Sequence, residues 1–114
     1  MKNTVSAVGL LFLLFFAAVA FTFGRGLASS SAGADTFKAK CAVCHGSDGS
    51  GSTPMGQKMK VHDLRSPEVQ KQTDEELTTI ITNGKPPMPA YGKTLSSADI
   101  RDLVIFLRSI AAKS

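Results

Sequence analysis

Cys41-Ala42-Val43-Cys44-His45 is the stretch on which the reading of this chain turns. Two thiols three residues apart, with a histidine directly after them, read as a covalent haem-attachment site. On a helical turn Cys41 and Cys44 project from nearly the same face, so each can close a thioether bond to one porphyrin vinyl group. His45 is then delivered under the ring, where an imidazole nitrogen can ligate the iron. The chain has no other cysteine. A thioredoxin-like pair would want a strand before the motif and a parallel-sheet pattern around it. A zinc site would want two more Cys or His ligands at short spacing, and only His62 remains. A plain disulfide explains neither the spacing nor the histidine.

Upstream, Lys2 is followed by an apolar run from Val5 to Phe23, the pattern of a secretory signal peptide. Small-x-small cleavage sites follow Ala28 and Ala34. The run also approaches the roughly 20 residues that span a bilayer, so an uncleaved N-terminal anchor is the alternative. Either way the haem domain is expected outside the cytoplasm, periplasmic and either soluble or membrane-associated through this segment. Residues 24–34, rich in Gly, Ser and Ala, read as a flexible spacer. The expected organisation is therefore 1–34 as signal or anchor plus spacer and 35–114 as the functional domain. An 80-residue domain struggles to bury enough apolar surface alone; a covalently held porphyrin supplies a large apolar body for its core. The formal charge of +4 falls to +2 without Lys2 and Arg25, and two haem propionates bring it near zero. No basic run with interleaved aromatics points to nucleic acid.

Within the domain, Asp35 or Thr36 is expected to start a first helix that ends at Gly46, with Phe37 four residues before Cys41 on the same face. The stretch Gly46 to Pro54 reads as a loop passing close to the haem edge. The Pro54 carbonyl is the expected acceptor for the free ring N–H of His45. Thr73 to Glu76 forms a capping box opening a helix with Leu77, Ile80 and Ile81 that stops at Asn83-Gly84. Ser96 or Ser97 caps a last helix with the stripe Ile100, Leu103, Val104, Leu107, Ile110, its Arg101, Asp102 and Arg108 facing water. No sheet is expected.

Lys85-Pro86-Pro87-Met88-Pro89-Ala90-Tyr91-Gly92 is the second informative stretch. A methionine bracketed by prolines sits on a stiffened chain with little freedom to lose. Its thioether is the expected ligand on the haem face opposite His45, with Met55 and Met59 the competing sulfurs. His62 reads as an ordinary histidine, with second-ligand duty the alternative. Lys58, Lys60, Lys85 and Lys93 read as solvated charges or, alternatively, as a ring steering an acidic partner.

The attachment motif, the proline-bracketed Met88 and the closing amphipathic helix together resemble the bacterial class I c-type cytochromes. The resemblance implies a small all-α fold, three main helices wrapped around one covalently attached haem c with its iron. It implies single-electron transfer between redox partner proteins, with no catalytic residues. A monomer is expected. It also implies that Phe37 packs where the first and last helices cross, against Leu103 and Phe106, with Gly33 as the small residue that lets them approach. The competing class is a ligand-binding or peroxidase-like haem with an open iron position, for which His62 is the only distal histidine.

Overall fold

The computed structural model describes residues 25–111. The apolar run from Val5 to Phe23 lies outside them. Six helices follow in order: α1 (Arg25–Lys40), α2 (Ala42–His45), α3 (Pro54–Met59), α4 (Pro67–Gln70), α5 (Asp74–Asn83) and α6 (Ser97–Ser109). Among the described residues there is no strand, only an isolated bridge between Lys85 and Met88. No described helix is long and apolar enough to cross a membrane.

The helix starts follow from local chemistry. Thr73 accepts from the Glu76 backbone N–H, and the Glu76 side chain reaches back to the Thr73 N–H at 2.7 Å. Ser96 and Asp99 make the same reciprocal pair at α6. The Ser96 hydroxyl and backbone N–H hold the Asp99 carboxyl below its ordinary pKa. Two short helices, α3 and α4, were not expected from the sequence. Each has a hydroxyl N-cap followed by proline, Thr53-Pro54 and Ser66-Pro67. Proline is pre-set for a first helical turn, where its missing N–H is no loss.

The core forms where α1 packs on α6. Phe37 and Leu103 are each 2% exposed and join Val104, Leu107, Leu77 and Ile81 in one cluster. The rings of Phe37 and Phe106 lie 5.0 Å apart, within the range in which tilted aromatic pairs attract. Gly33 is buried one turn ahead of Phe37; a Cβ there would collide with the Asp102 carbonyl. The first helix therefore begins ten residues earlier than Asp35. Most of the 24–34 segment expected to be a spacer is helical, from Arg25 on; the close approach at Gly33 outweighs the poor helix propensity of its glycines.

Arg108 also departs from expectation. It is half-buried, and its guanidinium donates to the Gln70 carbonyl at 2.8 Å, the Gln72 carbonyl at 2.6 Å and the Asp74 carboxylate at 2.7 Å. Gln70 in turn donates to the carbonyls of Leu64 and Leu107. These bonds fasten the end of α6 to the α4–α5 connection.

Candidate functional site

A cavity of about 420 Å³ opens beside the core, a size in the range that holds cofactors. Cys41, Cys44, His45 and Met88 all line it. Its remaining walls are largely apolar, including Val61, Leu64, Val69, Leu77, Ile80, Pro86 and Pro87. The chain thus brings the attachment motif and the proline-bracketed methionine, more than forty residues apart in sequence, to a single space.

The attachment turn is α2, entered from α1 through Cys41, whose N–H still bonds the Phe37 carbonyl at 2.8 Å. Gly46 ends the turn with φ of +77°, a conformation that favours glycine. The following loop folds back on this turn. The Gly51 N–H donates to the His45 carbonyl at 2.7 Å. The Thr53 hydroxyl lies 2.9 Å from the Cys44 carbonyl and 3.0 Å from that of Val43, and accepts from the Gly56 N–H. At Gly56 a Cβ would run into the carbonyls of Cys44 and Gly51. Thr53 and Gly56 hold the turn in place, and sequence reasoning did not single them out. The signal was the Thr-Pro helix start. Gly46, Gly49 and Gly51 are absent from the cavity wall; they serve positive φ and chain-to-chain contact rather than passage around a haem edge.

Burial lowers the His45 pKa, which keeps the imidazole neutral with a lone pair for metal. His45 Nδ1 is buried and has no hydrogen-bond partner. The bond expected to the Pro54 carbonyl is not formed. Pro54 opens α3, where a carbonyl is directed along the helix toward the next turn, and it is not in the cavity wall. Phe37 is likewise outside the wall, its ring spent on the helix crossing. Burial, with a smaller contribution from Cys44, pushes the Cys41 thiol up to about 11. In the folded chain it is therefore a weak nucleophile.

Met88 is half-buried against the core cluster. Its N–H donates to the Lys85 carbonyl at 2.8 Å and its carbonyl accepts from the Lys85 N–H at 3.1 Å, around a cis Pro86–Pro87 bond. Beyond it, the N–H groups of Tyr91 and Gly92 bond the carbonyls of Ile81 and Thr82 at the end of α5. The Tyr91 hydroxyl donates to the Lys40 carbonyl at 3.1 Å. Gly84, with φ of +75°, and Gly92 lie so close to neighbouring backbone that a Cβ would clash. The loop is held from three sides.

Of the competing sulfurs, Met59 is in the wall and Met55 is not. His62 is in the wall, exposed, with Nδ1 3.9 Å from Glu68. Lys60 and Lys85 line the cavity together with Lys40, whereas Lys58 and Lys93 do not. No group of three or more His, Cys, Asp or Glu that could hold a metal occurs among the described residues. Two thiols, a neutral imidazole, a thioether and apolar walls fit a covalently attached haem, and the orphaned Nδ1 is the atom a metal-bound histidine offers outward.

Comparison with known proteins agrees. Residues 28–107 match the family described as cytochrome c oxidase, cbb3-type, subunit III. Cytochrome c6 of Leptolyngbya boryana is 34% identical over 86 residues, covering 75% of this chain and 98% of the relative. Cytochrome c6 of a Picosynechococcus species is 31% identical over 96 residues, covering 79% and 82%. A quinone alcohol dehydrogenase cytochrome c subunit of Gluconacetobacter polyoxogenes is 34% identical over 95 residues, but the chain spans only 19% of its length. The solved KustC0563 c-type cytochrome superposes with a TM-score of 0.65 at 27% identity, covering 70% of this chain and 98% of that one. The relatives do not favour an open-iron, peroxidase-like haem. The chain accordingly belongs to the c-type cytochromes, a family that implies a covalently bound haem c with its iron.

Proposed function

We propose that this cytochrome is exported and shuttles single electrons between a donor and an acceptor protein; Cys41 and Cys44 would anchor the haem through thioether bonds, and His45 and Met88 would hold its iron. The observation that carries the reading is that His45 and Met88 line one cavity while Met88 stands on a loop bonded on three sides. The haem supplies a one-electron iron couple. His45, neutral through burial, offers nitrogen. Met88 offers a soft sulfur that favours the ferrous state and raises the reduction potential. His45 and Met88 would together hold the iron, which would keep small molecules from it and leave no substrate chemistry. Residues 1–34 contain the export signal or anchor, and the protein works outside the cytoplasm as a monomer.

The test is the absorption spectrum of holo-protein and of Met88→Ala. The parent protein should show the weak ferric band of an iron–methionine bond and no change when carbon monoxide is added to its reduced form. Met88→Ala should lose the band, bind carbon monoxide and show a lower reduction potential. A variant that keeps the parent spectrum and potential would rule Met88 out as the ligand.

A further inference from the structure

Helix α1 runs from Arg25 to Lys40 and so passes through both small-x-small cleavage sites. Cutting after Ala34 would leave α1 as Asp35–Lys40, under two turns. It would also remove Gly33, whose backbone lies directly against the Asp102 carbonyl and the Phe106 Cβ. The α1–α6 crossing would then rest on Phe37 with only Asp35 and Thr36 N-terminal to it. Cutting after Ala28 leaves the twelve residues Ser29–Lys40, more than three turns. Gly33 and Phe37 are both retained, one turn apart on the face that meets α6. The new chain start is Ser29-Ser30-Ser31, a residue type favoured at helix N-termini. Ala28 is also much nearer the end of the apolar run at Phe23 than Ala34 is, which suits a peptidase that reads small residues soon after that run.

We infer that the exported protein is cut between Ala28 and Ser29, and that residues 29–34 belong to the mature haem domain. The inference rests on the export reading above. Ala32-Gly33-Ala34 has the small-x-small pattern in sequence, yet it is a packing element of the α1–α6 interface.

The experiment is the intact mass of haem-loaded protein recovered from outside the cytoplasm of a host that exports the full chain and attaches haem. The mass expected is that of Ser29–Ser114 plus one haem. Exported protein that begins at Asp35, or that still begins at Met1 in the membrane fraction, would overturn the inference and leave export standing. Haem-free precursor confined to the cytoplasm would overturn both. Ala28→Phe should accumulate uncut or differently cut chain. As a check independent of processing, chains starting at Ser29 and at Asp35 behind one unrelated signal should differ in thermal midpoint, the shorter being lower. Equal midpoints would remove the structural reason for the assignment.

Discussion

The α1–α6 crossing and the wall around the cavity are built on opposite plans. At the crossing, two helices of 16 and 13 residues meet, and every apolar side chain on the shared face has a protein partner. Phe37 and Leu103 are 2% exposed there. Around the cavity, the chain is supplied by loops and by α2, α3 and α4, which have four, six and four residues. Helices that short do not persist in water on their own. Val69 and Leu77 belong to the core cluster and also line the cavity, and Val43 in the same wall is 68% exposed. The difference teaches that one region can assemble from its own sequence, while the other takes its shape around a non-protein body.

The sharpest way to break the comparison is to withhold that body. The apolar wall would then have nothing to pack on, and helices as short as α2, α3 and α4 do not hold themselves. Cys41→Ser with Cys44→Ser should therefore abolish the cooperative thermal transition seen by circular dichroism. A haem-free variant that melts like the parent would mean the wall stands unaided.

Phe37→Ala attacks the other region. Removing a fully buried ring should destabilise the domain by about 3–5 kcal/mol in denaturant titration, with the haem spectrum of the folded protein unchanged. A changed spectrum with unchanged stability would assign Phe37 to the cofactor instead of the crossing. The smallest effect is expected from Arg108→Ala, which cuts the tie between the two regions. Loss of its bonds to the Gln70 and Gln72 carbonyls and to Asp74 should cost about 2 kcal/mol. Faster amide exchange should then be confined to α4 and the start of α5; uniform exchange throughout would show that Arg108 does not link the regions.

The parts of this molecule legible in sequence are those fixed by chemistry within one or two turns. Cys41, Cys44 and His45 share a turn, Thr73 and Glu76 cap one another, and the stripe from Ile100 to Leu107 repeats at helical spacing. The parts that escaped reading depend on what lies across the fold. By composition residues 24–34 resemble a linker, and only the family resemblance pointed to Gly33; its reason is the Asp102 carbonyl lying against it. Arg108 resembles a solvent-facing charge until the carbonyls of Gln70 and Gln72 are found within its reach.

Pro54 shows the converse. Its place in the chain suits an acceptor for His45, but the hydroxyl of Thr53 makes it the first residue of a helix, and a local cap decides where its carbonyl goes. Met88 was legible as a stiffened sulfur facing His45, and the two do line one cavity; what was not legible is how the turn from Lys85 to Tyr91 is positioned, by bonds to α5 and to the end of α1.

The Tyr91 hydroxyl has one more consequence. By reaching the Lys40 carbonyl, it joins the methionine loop to the residue just ahead of the first cysteine, so the loop closes like a clasp over its own hinge. Burial raises the Tyr91 pKa, and the phenol keeps the proton that fastens it. In the proposed ligation, the sulfur's hold would be a matter of lifetime as well as position: an incoming molecule would have to wait for the clasp to spring open, however tightly it would bind afterwards.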